Sequence, residues 1–97
     1  TAVFCSCDEA AFGFIAALRR KEIRVPEDVS VVGFDDIPLA DHYCPALTTV
    51  RQPHRELGTT AVRMLLERIH NVAASIPNQL LEGKLIVRAS TGRPLAT

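Results

Sequence analysis

The stretch from Val29 to Asp36 reads VSVVGFDD, and it decides the fold. Its first six residues are almost entirely apolar, which is typical of a strand buried on both faces of a parallel sheet. Two adjacent carboxylates, Asp35 and Asp36, follow this strand at once. Because ligands of open α/β sheets bind at the carboxyl ends of the strands, both acids lie where a ligand site is expected.

The residues before this strand predict a second strand and a helix. AVFCS at 2–6 reads as a short buried strand, and an apolar helix is expected over 9–22, with basic residues in its last turn. Asp8 is suited to cap the helix N-terminus, and it also follows a strand end. Strand, helix and strand form a βαβ unit, so the two strands should lie parallel with a right-handed crossover. The fold class is therefore α/β, a parallel sheet with flanking helices.

The first helix is predicted to be covered on two sides, because its apolar residues form two stripes instead of one. One stripe consists of Ala10, Ala11, Phe14, Ala17 and Leu18, and the other of Phe12, Ile15 and Ala16.

The second half of the chain predicts a loop, a strand, a second helix and a final strand. Pro53 suits a helix entrance. The predicted elements are a loop over 37–47, an extended segment over 47–51, an amphipathic helix over 54–70, a polar connection over 71–83, a strand over 85–87 and a tail over 91–97. The predicted buried face of the second helix consists of Leu57, Ala61, Val62, Met64, Leu65, Leu66 and Ile69.

Composition limits the function classes. Lys and Arg number 11 in total and Asp and Glu also 11, and the basic residues are too scattered for a nucleic-acid-binding stripe. Any contact with DNA would therefore use residues outside this chain. No apolar run is long enough to span a membrane. The three cysteines suggest reduced thiols in the cytosol, and the chain, which starts at Thr1 without Met, reads as a fragment or processed product.

Enzymatic and metal sites have little support. Cys5 and Cys7 are too close in sequence for a zinc-binding pair, and no second pair follows. A magnesium-dependent phosphotransfer site would need Asp8 and Lys84 beside the acidic pair, in an order unlike that of a receiver domain. There is no G-x-S-x-G motif, and the histidines read as surface residues. We predict no catalytic residue, no metal and no cofactor.

Several blocks together carry a family resemblance. RVPEDVSVVGFDD at 24–36 and LTTVRQP at 47–53 are followed by ELG and by an LLERI helix. The chain resembles the C-terminal part of LacI/GalR-type transcriptional regulators, from Ala2 to Ile69 and more loosely to Gly92. The resemblance implies a fragment of a type I periplasmic-binding-protein fold. Residues 1–50 would be a βαβ segment of the C-terminal lobe, 51–83 a crossover and N-terminal-lobe helix, and 84–97 the final strand and tail.

The resemblance also implies site residues. Asp35 matches the aspartate that contacts the effector in this family, and Asp8 matches another usual aspartate. Cys7 occupies a position where the family often has an effector-contacting Asn, and a thiol is a weak hydrogen-bonding group. Asp36 reads as support for the loop. The residues expected to face a dimer partner are Phe12, Ile15, Ala16 and Tyr43.

The function implied by the resemblance is that of a sensor. A small effector, a sugar or related metabolite, would bind between two lobes of a cytoplasmic homodimer. It would shift the affinity for operator DNA, which is bound through a headpiece absent from this chain. The alternative is a periplasmic sugar-binding transport protein of the same fold. We also expect that the isolated chain does not stay a monomer, because sheet edges and an apolar helix stripe would be uncovered.

Overall fold

The computed structural model describes residues 1–73 and 75–96. Ala74, in the predicted connection, and Thr97, at the end of the predicted tail, lie outside the described residues. The strands and helices of the described residues are β1 (Ala2–Phe4), α1 (Asp8–Arg20), β2 (Ser30–Val32), α2 (Leu39–His42), β3 (Thr49–Arg51), α3 (His54–His70) and β4 (Lys84–Ile86).

The chain divides into two compact units. Unit 1 consists of Thr1–Gln52 and Lys84–Thr97, and unit 2 consists of Pro53–Gly83. The chain therefore leaves unit 1 directly after β3 and re-enters it at the first residue of β4. Unit 1 holds the sheet and the acidic loop after β2, so it positions the candidate site.

The sheet of unit 1 is built around β2. β1 pairs parallel with β2, with Ala2 opposite Ser30 and Phe4 opposite Val32, which confirms the parallel βαβ prediction. A parallel bridge from Val32 to Thr48 continues the sheet on the other side of β2. β4 then pairs antiparallel with β3. Apolar, β-branched residues suit this central position, and Val31 is completely buried.

The core of unit 1 lies between α1 and the sheet. Helix α1 buries one face, because its buried positions 8, 11, 12, 15 and 18 follow the helical repeat. This face draws on both predicted stripes, so the expected division into two separate stripes is wrong. The buried apolar residues of the core are Ala11, Phe12, Ile15, Leu18, Val31, Ala40 and Leu47.

Helix α1 ends two residues earlier than predicted, in a Schellman motif. The N–H of Ile23 donates to the carbonyl of Leu18 at 3.0 Å, and the N–H of Glu22 donates to Arg19 at 3.0 Å. This motif needs a residue in the left-handed conformation, and Glu22 takes it with φ of 59°. A glycine would adopt that conformation without steric strain.

Two segments predicted to be irregular are more ordered than expected. The predicted loop over 37–47 contains the short helix α2, whose Ala40 is fully buried. The predicted tail over 91–97 begins with residues tied to the sheet: Oγ1 of Thr91 shares a hydrogen bond with Oγ1 of Thr48 at 2.8 Å, and the N–H of Gly92 donates to Oγ of Ser30 at 3.1 Å. Neither segment has a periodic pattern, so their ordered structure could not be predicted from the sequence.

Unit 2 consists of α3 and the connection that follows it. The helix has the predicted bounds, His54–His70, but most of its predicted buried face is exposed. Leu65 is 59% exposed and Ile69 60%, and the buried residue of α3 is Thr60. One helix and one irregular connection have too little apolar surface to cover such a face. None of the helices within residues 1–73 and 75–96 is both long and apolar enough to cross a membrane.

Candidate functional site

The site starts at Gly33, where β2 has ended and the chain passes very close to other elements. A Cβ at Gly33 would collide with Oδ1 of Asp8 and would lie 2.8 Å from Cδ2 of Leu47. Asp8 and Leu47 are both completely buried. The missing side chain at Gly33 therefore lets the Asp8 carboxylate sit directly against the backbone that leads to the acidic pair.

Asp8 stabilises the site through hydrogen bonds to the loop after β2 and to β3. Its carboxylate accepts a hydrogen bond from the N–H of Ile37 at 2.8 Å and another from Oγ1 of Thr49 at 2.6 Å. The prediction that Asp8 caps α1 is wrong: Cys7 is the N-cap residue, and Asp8 is the first residue of the helix. Asp8 has no exposed surface and both of its carboxylate oxygens are already hydrogen-bonded, so its side chain offers no surface to a ligand in this structure.

Cys7 lies at the N-terminus of α1, close to the end of β1. Its backbone is extended and its side chain makes no capping hydrogen bond to the helix. Cys7 and Cys5 are both half-buried free thiols. Burial raises the pKa of the Cys5 thiol, and the nearby Cys7 raises it further, so Cys5 is held in the neutral form.

Asp35 is held in an unusual backbone conformation. Its φ is 125°, a region that residues with a side chain rarely adopt. The N–H of Asp35 donates to the carbonyl of Val50 at 2.9 Å, and Nε2 of Gln52 donates to Oδ1 of its carboxylate. Strained residues of this kind cluster at binding and switch sites. The half-buried carboxylate can accept further hydrogen bonds, because an ionised carboxylate offers about four acceptor positions.

Asp36 is also at positive φ, 59°, and it is the centre of an ion network. Nε of Arg51 donates to its Oδ2 at 2.6 Å, and Nη2 of Arg88 lies 2.8 Å from its Oδ1. Burial by itself would raise the pKa of Asp36, but the hydrogen bonds and charges of Arg51 and Arg88 outweigh it and hold the pKa below its ordinary value. The predicted role of Asp36 as support for the loop is confirmed.

Arg88 extends this network to two more segments. Its Nη1 donates to the carbonyl of Leu47 at 2.9 Å, and its Nε lies 3.4 Å from Oδ1 of Asp41 on α2. The Arg88 side chain is only 13% exposed. The guanidinium therefore acts as a structural clamp, and it is not free to bind an anion.

This arrangement is suited to binding a ligand through hydrogen bonds to a carboxylate. Within residues 1–73 and 75–96, no three His, Cys, Asp or Glu side chains lie together as a metal site would require. The two adjacent acids differ in their partners. Both oxygens of the Asp36 carboxylate are paired with arginines, whereas the Asp35 carboxylate can still accept hydrogen bonds. A neutral hydroxyl-bearing ligand or an amine would fit the Asp35 carboxylate.

Comparison with known proteins agrees with this geometry. The model of the periplasmic binding protein-like domain family matches residues 1–91. A LacI family transcriptional regulator from Enterococcus faecalis V583 with bound ribose superposes with a TM-score of 0.86 and 41% identity, over 99% of this chain and 36% of that one. This chain belongs to the LacI family, through its periplasmic binding protein-like domain.

Two other relatives extend the comparison of this LacI-type domain. The transcriptional repressor PurR of Vibrio atlanticus (strain LGP32) is 54% identical over 69 residues, which cover 71% of this chain and 21% of that protein. The lac repressor dimer bound to operator and the anti-inducer ONPF superposes with a TM-score of 0.84 and 40% identity, over 94% of this chain and 32% of that one. The chain spans only about a fifth of the length of the PurR relative.

The LacI-type domain holds the predicted interface residues in two different environments. Phe12 and Ile15 are 9% and 2% exposed and belong to the core of this chain, so they offer a partner little surface. The Tyr43 ring packs on Phe12 with centroids 4.5 Å apart, and its hydroxyl donates to the Phe12 carbonyl at 3.2 Å. Tyr43 and Ala16 are half-buried. Contact with a second subunit stays a prediction, with Ala16 and Tyr43 as its accessible residues.

Three residues of the site were missed in the sequence: Gln52, Arg51 and Arg88. Two adjacent acids after a buried strand indicate that a cationic partner is needed, because a buried carboxylate must be paired. That signal does not select among the scattered arginines. The partners come from 15 and 52 positions further along the chain, and only the sheet brings them together.

Proposed function

We propose that this chain is the C-terminal portion of the effector-binding and dimerisation domain of a LacI-type transcriptional regulator. Its effector is a small molecule, a sugar or a related metabolite, and Asp35 contacts it. The observation that carries this proposal is Asp35 itself: a half-buried carboxylate at the end of a central strand, with φ of 125° and one oxygen already held by Gln52.

Asp35 is suited to a hydroxyl-rich ligand. Hydrogen bonds to an ionised carboxylate are stronger than neutral ones, and Gln52 pre-orients the group, so little ordering remains to be done on binding. Cys7, at the start of α1, is a weak hydrogen-bonding group. We therefore infer that the effector presents an apolar or weakly polar edge to Cys7 and its hydroxyls to Asp35. The ribose bound by the Enterococcus faecalis relative supports the sugar class.

The mechanism we infer is a population shift without chemistry on the ligand. The effector binds between two lobes and stabilises one lobe arrangement of a cytoplasmic homodimer. That arrangement changes the affinity of a separate DNA-binding headpiece for its operator. The dimeric, operator-bound lac repressor is the relative that supports these partners. The alternative, a periplasmic transport protein, is not favoured, because the curated relatives are transcriptional repressors.

The test uses the complete gene product and ribose as the first probe. Calorimetric titration should show binding, and Asp35→Asn should weaken it about a hundredfold, since two hydrogen bonds to a charged group are at stake. Asp28→Asn is the matched control, because Asp28 pairs with Arg24 at 2.8 Å in an exposed helix-to-strand loop. A panel of pentoses, hexoses and ribosides extends the titration. Binding that is equal in Asp35→Asn and the wild type would refute the role of Asp35.

The regulatory part of the proposal has its own assay. DNA fragments are selected by the complete gene product from a random pool, and their affinity is measured with and without the bound sugar. We expect a change of about tenfold or more, the usual range of allosteric coupling. A protein that binds the sugar and selects no DNA would instead support the transport alternative.

A further inference from the structure

Three separate segments of unit 1 meet at one carboxylate, that of Asp36. The loop after β2 supplies Asp36, β3 supplies Arg51, and the segment directly after β4 supplies Arg88. Asp36 uses a different oxygen for each arginine, Oδ2 for Arg51 and Oδ1 for Arg88. The loop that carries Asp35 is therefore tied to β3 and to the chain after β4 at the same time.

Strands β3 and β4 also lie at the two points where the chain passes between unit 1 and unit 2. The chain leaves unit 1 after Gln52, one residue beyond Arg51, and it returns at Lys84. Arg51 and Lys84 are direct partners in the antiparallel pairing of β3 with β4. A displacement of this strand pair consequently moves both connections together, because paired strands shift as one body.

The two arms of the network differ in their exposure. The Asp36 and Arg88 side chains are 6% and 13% exposed, and the Arg51 side chain is 53% exposed. Water can replace the Arg51 arm at little cost, since exposed ion pairs contribute little. It cannot readily replace Arg88, because a shielded charge that loses its partner is strongly destabilised. The Arg88 arm must therefore follow Asp36 when Asp36 moves.

Asp36 in turn must follow Asp35. The two are consecutive residues with φ values of 125° and 59°, both outside the conformations that side-chain-bearing residues prefer. The peptide group between them is rigid and planar, so a rotation of the backbone at Asp35 reorients Asp36. The hydrogen bonds that hold Asp35 from outside the loop come from Val50 and Gln52, on β3 and next to it.

We propose that Asp36 is the positioning residue that transmits a change at Asp35 to both chain connections between the two units. The inference rests on the proposed function insofar as the natural change at Asp35 is effector binding. Asp36 itself does not touch the ligand. It converts a local reorientation of the loop into a shift of the β3–β4 pair, through Arg88 in particular.

The test is a mutational cycle read by native-state hydrogen exchange in the complete gene product, without any effector. The perturbation is Asp35→Asn. The reporter is the peptide covering 84–88, which includes β4 and the backbone N–H of Arg88. That N–H donates to Oγ1 of Thr48 at 2.9 Å. In the wild-type background we expect Asp35→Asn to change exchange of this peptide about tenfold, a coupling of the size seen between residues of one network. In the Asp36→Asn background the same substitution should change it much less, because only the direct bonds of Asp35 to Val50 and Gln52 then connect it to β3.

Asp41→Asn is the matched control. Asp41 is a 69% exposed acid that also lies near Arg88, so its loss removes a carboxylate from the network without touching Asp36. The response of residues 84–88 to Asp35→Asn should persist in that background. If Asp36→Asn exposes α1 to exchange, and is thus unfolded, Arg88→Lys takes its place in the cycle, because lysine keeps the charge and loses the fork that reaches Asp36, Asp41 and Leu47.

Two results would overturn the proposal. One is an equal response of residues 84–88 with and without Asp36, and the other is no response in the wild-type background. Because the cycle uses no sugar, its outcome is independent of the ribose titration. If ribose does not bind but the hydrogen-exchange cycle gives the expected result, the proposed effector is rejected and the coupling through Asp36 is retained. If ribose binds but the cycle does not give the expected result, the coupling is rejected and the effector is retained.

Discussion

The substitution Gly33→Ala tests the close packing beneath the acidic loop. The new methyl group would collide with Oδ1 of Asp8, and it would lie 2.8 Å from Cδ2 of Leu47 and 3.3 Å from Cα of Asp8. None of these atoms can retreat into solvent, because Asp8 and Leu47 are completely buried. The chain must therefore either move its core or release the Asp8 carboxylate from its partners.

Both routes are expensive. Overpacking of a core by one methyl group costs about 1–3 kcal/mol. A displaced Asp8 would weaken its hydrogen bonds from Ile37 and Thr49, each worth about 1.5–3 kcal/mol because the acceptor is charged. Because the chain takes the less costly of the two routes, we expect the free energy of unfolding to fall by about 1–3 kcal/mol.

The assay is chemical denaturation followed by circular dichroism, with Gly13→Ala and Gly58→Ala as controls. Both control glycines lie within helices, and a Cβ at either would meet open space. Each control should gain about 0.5–1 kcal/mol, because glycine in a helix costs that much relative to alanine. A loss below about 1 kcal/mol for Gly33→Ala, with the controls behaving as stated, would refute the packing argument.

The remaining predictions concern single interactions. Glu22→Gly should raise the free energy of unfolding by about 1 kcal/mol in the same assay, because it relieves the left-handed residue of the Schellman motif; Lys21→Gly, at φ of −100°, should bring no such gain. Thr49→Val should cost about 1–3 kcal/mol, and the loss should not add to that of Asp8→Ala, since both remove the same bond; additive losses would contradict this. Asp36 has a folded-state pKa below its ordinary value of 3.8, so its stabilisation is complete above about pH 4 and is lost as the pH falls through the folded pKa. Stability measured from pH 6 to pH 2 should therefore decline less steeply in Asp36→Asn than in the wild type, and parallel curves would count against it.

The elements with local signals were predictable from the sequence. Helix α3 was predicted with its observed bounds, because Pro53 and a regular 3.6-residue pattern define it within its own residues. The parallel pairing of β1 with β2 followed from the order strand, helix, strand. Asp35 was placed at the ligand edge because it follows a buried apolar run.

The errors at the site and on α3 involve partners that are distant in sequence or lie outside the element itself. Asp8 was assigned to its own helix, but its carboxylate binds Ile37 and Thr49, which are 29 and 41 residues away. The periodic pattern correctly predicted that α3 has an apolar face. Periodicity does not show whether other residues of the chain pack against that face. Arg88 could not be selected as the partner of Asp36, because the pairing requires the antiparallel return of β4.

The pairing of Arg51 with Lys84 has a consequence for folding and for engineering. Residues directly opposite in an antiparallel pair have Cα atoms about 5 Å apart, so the ends of unit 2 are anchored at neighbouring points. Topologically, unit 2 is a long excursion inserted into the turn of a β-hairpin. The β3–β4 hairpin can form only after a loop of about thirty residues has closed, an entropy cost that grows slowly with loop length. The same geometry permits a short Asn-Gly turn to replace unit 2, which would convert the discontinuous unit 1 into a single contiguous chain.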